Sequence, residues 1–449
     1  MAKTHSFFHC QNCDFKTVKW LGQCPECKQW NTFEQGAVSA VTPHVQKAVS
    51  ARVIPMKKLD DVQTTSHKRM ACGINEWDRV TGGGLMPGSF IIVTGDPGIG
   101  KSTLLLQVAF HLAHTYNVLY FSSEESLEQV KQRAQRLSCI HEKLLFSDQA
   151  NLDEVIATTL SYKPHLVIID SIQNCYSSDT QALPGSIGQL KESAFRLMRL
   201  AKENTITVML SGHITKDGFM AGPKTLEHMV DAVFYLQGED RWQTRVLRGV
   251  KNRFGTVNEI GFFEMQESGL QEMPNINQHL LEEVSHSPGS MLVSHLEGTR
   301  PILLELQALT IASKYGMPQR VVSGLESAQV VLIAAILEKY LKVKLSTQDI
   351  FFKVSGGFKI KGSNLDLGIA LALLSSYFQK PLPEKCIALG ELSLTGQLKP
   401  INHIGQHIHE IEKFGINQLF IARNQKLPQT AIKLQKLNSI FQLLELFND

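Results

Sequence analysis

Short apolar runs recur through the middle of the chain, separated by stretches in which apolar residues fall at helical spacing. Phe90–Thr94, Val118–Ser122, Leu166–Ile169, Thr207–Ser211 and Ala232–Leu236 read as strands buried on both faces. The segment from Thr103 to His114 is apolar at helix period. This alternation over residues 56–275 predicts an α/β unit built on a parallel sheet with covering helices. Met273-Pro274-Asn275 and Ser285-His286-Ser287-Pro288-Gly289-Ser290 break the pattern. A second α/β region follows over 285–449. At the other end, residues 1–34 are rich in Cys and Lys, and 35–55 lack periodicity and read as a linker.

Composition narrows the class. The chain has 449 residues, 43% hydrophobic and 19% charged, as expected of a globular protein of two or three domains. The net charge is only +3, so nucleic-acid binding would have to come from local patches. The longest apolar runs, Val330–Leu337 among them, fall far short of the ~20 residues that span a bilayer. The N-terminus carries no apolar signal region. The expectation is a cytoplasmic protein without a membrane partner.

Candidate chemistry begins after the first strand. Gly95-Asp96-Pro97-Gly98-Ile99-Gly100-Lys101-Ser102 reads G-x-x-x-x-G-K-S and is followed by Thr103 and the predicted helix. Strand, glycine loop and helix form the context that makes this motif a phosphate site. Backbone N–H groups and the helix start would cradle the phosphates of ATP or GTP. Lys101 would reach the β- and γ-phosphates, and Ser102 would hold Mg²⁺.

The later strand ends supply the rest. Leu166-Val167-Ile168-Ile169-Asp170 is an apolar strand ending in an acid, the Walker B pattern, with Asp170 as second Mg²⁺ residue. Val118–Ser122 runs into Ser123-Glu124-Glu125. In a parallel sheet that end lies beside the phosphates. Glu124 is the first choice for the base that activates water, and Glu125 the second. Both acids would also suit the start of the next helix. His213 ends another strand, where a polar sensor of the γ-phosphate would sit; a structural histidine is the other reading. The segments 173–189 and 217–226, at the same edge, are expected to be mobile and to face a ring's channel.

Cys10-x-x-Cys13 and Cys24-x-x-Cys27 are two tight knuckles ten residues apart. Four thiolates at this spacing predict a tetrahedral Zn²⁺ site, with a redox pair as the rival. The segment is too small to fold on its own core, so the metal would stabilise it. Lys16, Lys19, Lys28, Trp20 and Trp30 lie between the ligands, as a DNA-contacting face or a solvated rim. Cys72, Cys139, Cys175 and Cys386 are scattered and read as ordinary small residues.

Together these segments resemble the bacterial RadA/Sms DNA-repair family, recombination ATPases related to RecA and to DnaB-type ring helicases. The resemblance runs along essentially the whole chain. It rests on the cysteine knuckles, Gly82-Gly83-Gly84-Leu85-x-Pro87-Gly88, Glu124-Glu125-Ser126, Pro184-Gly185-Ser186-Ile187-Gly188-Gln189 and Leu226-Glu227-His228-Met229-Val230-Asp231. Above all it rests on the family's signature pentapeptide, Lys251-Asn252-Arg253-Phe254-Gly255. Ser123 stands where the family usually has Gly. The family implies a homohexameric ring that hydrolyses ATP, translocates on single-stranded DNA and drives branch migration of branched recombination intermediates. It also implies a strand-exchange recombinase as partner. Lys251 and Arg253, spaced i, i+2, would share one face of an extended segment. They look like a finger pair inserted into the neighbour's ATP site, a DNA contact, or a solvated basic turn.

The C-terminal region resembles the Lon protease domain. Proteolysis there needs a Ser nucleophile and a Lys activator. The serine position falls on Asp366 and the lysine position on Gly405. Ser363 and Lys361 are a poor substitute dyad, only two residues apart. The expected architecture is thus a zinc ribbon, a RecA-like P-loop ATPase core and a Lon-like α/β domain without peptidase chemistry, with a role in ring assembly and duplex binding. Lys353, Lys359 and Lys361 flank Gly356-Gly357, as phosphate contacts or a solvated face. The alternative function is a non-motor ATP switch that scaffolds recombinase loading.

Overall fold

The computed structural model describes residues 6–13, 15–37, 56, 58–61, 68–177, 185–213, 224–238, 244–314 and 317–447. The N-terminal segment is a three-stranded antiparallel sheet of β1 (Ser6–Cys10), β2 (Lys16–Thr17) and β3 (Phe33–Ala37), with β1 in the middle.

The central layer is a nine-stranded sheet. In chain order its elements are α1 (Asn75–Thr81), β4 (Phe90–Gly95), α2 (Lys101–Ala113), β5 (Val118–Ser122), α3 (Leu127–Arg136), β6 (Leu144–Ser147) and α4 (Leu152–Tyr162). Then come β7 (Leu166–Asp170), α5 (Ile187–Asn204), β8 (Thr207–His213), α6 (Lys224–Met229), β9 (Ala232–Gly238), β10 (Thr244–Asn252), β11 (Ile260–Gln266) and β12 (Gly269–Glu272). The spatial order is β12-β11-β10-β9-β4-β8-β7-β5-β6. The strands from β9 to β6 are parallel, while β10, β11 and β12 continue one edge in antiparallel fashion.

The apolar runs explain the layering. Ile91 and Val93 of β4 pack toward α2 with Leu104, Leu105 and Val108. Phe90 and Ile92 pack toward α5 with Leu190, Ala194 and Leu197. Alternate residues of one strand thus serve opposite faces, and the whole strand is buried. Local signals start the helices. Ser126 and Gln129 form a reciprocal capping box on α3, Asn151 caps α4, and Ser186 caps α5.

The last layer follows α7 (Ile276–Glu282). It contains β13 (Ser290–Glu297), β14 (Arg300–Ala312), β15 (Arg320–Ser323), α8 (Ser327–Leu341), β16 (Gln348–Val354) and α9 (Asp366–Phe378). It ends with β17 (Cys386–Leu389), the small ribbon β18 (Glu391–Leu392) and β19 (Leu398–Lys399), α10 (Ile404–Lys413), β20 (Gln418–Ala422) and β21 (Lys433–Leu437). Seven strands form one mixed sheet in the order β15-β16-β14-β13-β17-β20-β21. Helices α8 and α9 cover one face and α10 the other.

The two large sheets share a core. Val246, Ile260 and Phe262 of the first pack in one cluster with Ile302 and Leu304 of the second and with Phe358, which follows β16. An ion pair sits within this contact. Arg300 donates to Glu76 at 2.9 Å, and the two side chains are 10% and 1% exposed. Glu76 also accepts the Phe262 N–H at 2.9 Å. Removing one partner of such a pair leaves a buried charge unpaired. Glu76→Ala is therefore expected to destabilise the chain by about 3–5 kcal/mol, read from urea unfolding of the full-length protein. A loss under about 1 kcal/mol would show that the layers do not depend on it.

Candidate functional site

The glycine loop leaves β4 at its carboxyl end and enters α2 at Lys101. Gly98 and Gly100 have φ of 74° and 110°, values that side-chain-bearing residues rarely adopt. Only glycine lets the loop curl this tightly over the helix start. The Lys101 ammonium donates to the carbonyls of Gly95 and Asp96, both at 2.9 Å. Burial lowers its pKa, and the nearby carboxylates of Asp170, Glu124 and Asp96 act against that shift. A cation held by a glycine loop at the start of a helix is a site for phosphate.

Parallel pairing in step brings the other residues to the same edge. Gly95 lies abreast of His213, and Ser122 abreast of Asp170. Asp170 is buried and its carboxylate is fixed from both sides. Tyr120 donates to one oxygen at 2.7 Å and Ser211 to the other at 2.5 Å. Burial and the Asp170 charge push the Tyr120 pKa up, so its phenol stays a donor. The sequence reading missed Tyr120 and Ser211. Each points from a neighbouring strand toward Asp170, and that signal appears only once the strand order is known.

The two candidate acids separate. Glu125 is tied to Arg133 of α3 by a short ion pair. Glu124 instead accepts a short hydrogen bond from the Ser171 hydroxyl, beside Asp170. The His213 backbone is described, at the end of β8, and its side chain lies outside the described set. Of the predicted channel segments 173–189 and 217–226, residues 178–184 and 217–223 lie outside the described residues, while 187–189 begin α5 and 224–226 lie in α6.

The site is made of hard oxygen donors. The Ser102 hydroxyl and the Asp170 carboxylate would hold Mg²⁺, which suits oxygen ligands and keeps several waters. Bound there, the ion would neutralise charge on the β- and γ-phosphates.

The pentapeptide sits elsewhere. Asn252 pairs with Ala232, and Ala232 with Ile91, so it leaves the sheet beside the start of β4. At ~3.3 Å per residue and ~4.8 Å per strand, that is roughly 15 Å from the P-loop's first glycine. The extended conformation expected across it ends at Asn252, and Arg253-Phe254 form a turn. Both cations nevertheless reach the same short segment, 227–231. The Lys251 ammonium donates to the carbonyls of Glu227 at 2.6 Å and Val230 at 2.7 Å, at the end of α6. Burial and the neighbouring Arg253 charge lower its pKa. Arg253 is 59% exposed and lies 3.3 Å from buried Asp231. Asp231 also accepts the Phe90 N–H at 2.9 Å and pairs with Lys202. Arg69 ties the glycine turn after α1 to the pentapeptide, through Gly84 O and Phe254 O.

The four N-terminal cysteines converge. All four Sγ atoms lie within 4.8 Å of one another. Cys10 and Cys27 are 3.6 Å apart, and Cys13 and Cys24 3.4 Å. Zn–S bonds of about 2.3 Å at tetrahedral angles put sulfurs about 3.8 Å apart, whereas a disulfide needs about 2.05 Å. The donor set fits zinc. Trp20 and Trp30 are 53% and 68% exposed beside it.

At the Lon-like positions, Asp366 is buried and accepts from Gln329 at 2.7 Å and the Leu392 N–H at 3.1 Å. Ser363 donates to Glu391 at 2.8 Å, while Lys361 pairs with Glu326 at 2.9 Å. The two side chains serve different acids. Among the described residues, no helix is long and apolar enough to cross a membrane.

Fold and site together define a RecA-like P-loop ATPase core, preceded by a zinc ribbon and followed by a Lon-like α/β region. The model of the AAA domain matches residues 58–218, the rubredoxin metal binding domain 8–35, and subunit ChlI of Mg-chelatase 310–425. DNA repair protein RadA of Streptococcus pyogenes serotype M6 is 42% identical over 99% of this chain and 99% of its own. The RadA of Bacillus subtilis is 41% identical over 94% of this chain and 93% of its own. A solved structure of the RadB recombinase covers 45% of this chain and 99% of its own, at 21% identity and a TM-score of 0.37. The chain belongs to the RadA family of DNA repair proteins.

Lys101→Ala is expected to abolish ATP turnover while circular dichroism and the thermal midpoint stay those of wild type, because the residue's burial already works against its charge. Residual turnover would displace the ammonium from the phosphate site. Stripping zinc with a chelator is expected to abolish hydrogen-exchange protection in residues 6–37 and leave the nine-stranded sheet protected. Unchanged protection in the ribbon would show that it folds without metal.

Proposed function

We propose that this protein is a DNA-dependent ATPase that moves on single-stranded DNA and promotes branch migration during recombinational repair. It works in the cytoplasm as a homohexameric ring alongside a strand-exchange recombinase. Family membership supports DNA repair as the setting, since the relatives carry that name. Residues 56–275 form the motor, 1–34 the zinc ribbon and 285–449 the ring-building, non-proteolytic domain, with 35–55 between ribbon and motor. The separate pairing of Ser363 and Lys361 supports the last assignment.

In this reading Gly95, Asp96, Pro97, Gly98, Ile99, Gly100, Lys101, Ser102 and Thr103 hold ATP. Ser102 and Asp170 hold Mg²⁺, and His213 senses the γ-phosphate. Glu124 activates water, supported by the pairing of Glu125 with Arg133. One observation carries the ring: Arg253 lies at the opposite edge of the sheet from its own P-loop. A cation there serves catalysis only across a subunit boundary. Arg253 of one subunit stabilises charge on the neighbour's γ-phosphate, and Lys251 fixes its approach through the end of α6. The segments 173–189 and 217–226 follow DNA in the channel.

Mixed rings test the trans assignment. Arg253→Ala is expected to lower DNA-stimulated turnover roughly 1000-fold while nucleotide binding is kept. Mixing inactive Lys101→Ala subunits with Arg253→Ala subunits restores turnover, because some junctions then carry an intact Lys101 facing an intact Arg253. Mixtures that stay inactive, or an Arg253→Ala protein with normal branch migration, would overturn it.

A further inference from the structure

Two hydroxyls link the backbone beyond the Walker B strand to Glu124. Strands β5 and β7 pair in register as far as Ser122 and Asp170. One more ladder bond follows, from the Ser123 N–H to the Asp170 carbonyl at 2.8 Å. Beyond it the Ser123 side chain takes over from the backbone. Its hydroxyl accepts the Ser171 N–H at 2.9 Å and donates to the Ser171 carbonyl at 2.8 Å. Ser171 is fully buried, and this single side chain satisfies both of its backbone groups. The Asn174 amide holds the Ser123 carbonyl at 3.2 Å from the other side. A hydroxyl has one proton, and that of Ser171 is committed to Oε1 of Glu124. Glycine at 123 could make none of the side-chain bonds.

We propose that Ser123 and Ser171 are positioning residues for ATP hydrolysis, a two-hydroxyl relay that holds the Glu124 carboxylate in its water-activating orientation. The proposal rests on the reading of Glu124 as the base. Glu124 stands on the exposed rim of the site, where an unrestrained glutamate samples many rotamers. A donor fixed to the Walker B strand confines it to the side where Asp170 and Lys101 lie. Geometric control of a catalytic group acts on the chemical step rather than on substrate binding.

The test uses the full chain with saturating single-stranded DNA, comparing kcat, KM and nucleotide affinity. Ser171→Ala is expected to lower kcat about tenfold with KM and nucleotide affinity unchanged. Ser123→Ala lowers kcat about threefold, and Ser123→Thr, which keeps the hydroxyl, recovers most of that loss relative to Ser123→Ala. In single-turnover reactions Ser171→Ala adds no further loss to Glu124→Gln, since both act through one carboxylate. If Ser171→Ala does not fold, the Ser123 pair carries the test alone. Wild-type kcat in Ser171→Ala and Ser123→Ala, or an additive loss in the Glu124→Gln background, overturns the relay while leaving Glu124 in place. Normal turnover in Glu124→Gln overturns the base assignment and the relay with it.

Discussion

Parallel pairing in step across β4, β8, β7 and β5 is the constraint from which the rest of the molecule follows. Gly95 meets His213, and Ser122 meets Asp170, so the phosphate loop, Asp170 and the base candidate emerge at one edge. The switch to antiparallel pairing at β10 sends the chain back to the opposite edge, where Lys251-Asn252-Arg253 leaves the sheet. One register rule therefore gathers the candidate ATP-site residues at one edge and leaves Arg253 at the other. The proposed ring reunites them across a subunit boundary.

The sheet's second edge is fixed as firmly as its first. Asp231 is buried and binds the first N–H of β4, Lys202 of α5 and Arg253. Arg253 is thus docked on the root of the very strand that carries the P-loop. Arg69 adds a tie between the pentapeptide turn and the glycine turn after α1. From α1 the Glu76–Arg300 pair leads into the C-terminal sheet, and Arg248 of β10 pairs with Glu297 of β13 nearby. These contacts form a continuous route between pentapeptide, nine-stranded sheet and C-terminal sheet.

Much of this was legible in the sequence, for physical reasons. Doubly buried strands are continuous apolar runs, so the five predicted strands fall within one to two residues of β4, β5, β7, β8 and β9. The P-loop and the cysteine knuckles are local, and their spacing alone fixes their geometry. Strands β10–β12 give no such signal, because each mixes buried positions with half-buried or exposed ones. Tyr120, Ser211 and Ser171 were invisible for another reason: each acts on a partner reached only through strand order. Of the pentapeptide only Lys251 and Asn252 are extended, because β10 ends at Asn252, and the basic turn among the sequence-based alternatives begins at Arg253.

The central claim is that ATP is closed from one side by Lys101, Ser102, Glu124 and Asp170 and from the other by the next subunit. Imaging the full chain on single-stranded DNA with a slowly hydrolysed ATP analogue tests it most directly. The account predicts a closed ring in which the Arg253 guanidinium of each subunit lies within hydrogen-bond distance of its neighbour's γ-phosphate. A ring in which Arg253 stays on its own Asp231, or turns to the DNA, with no neighbouring cation at the γ-phosphate, would contradict it.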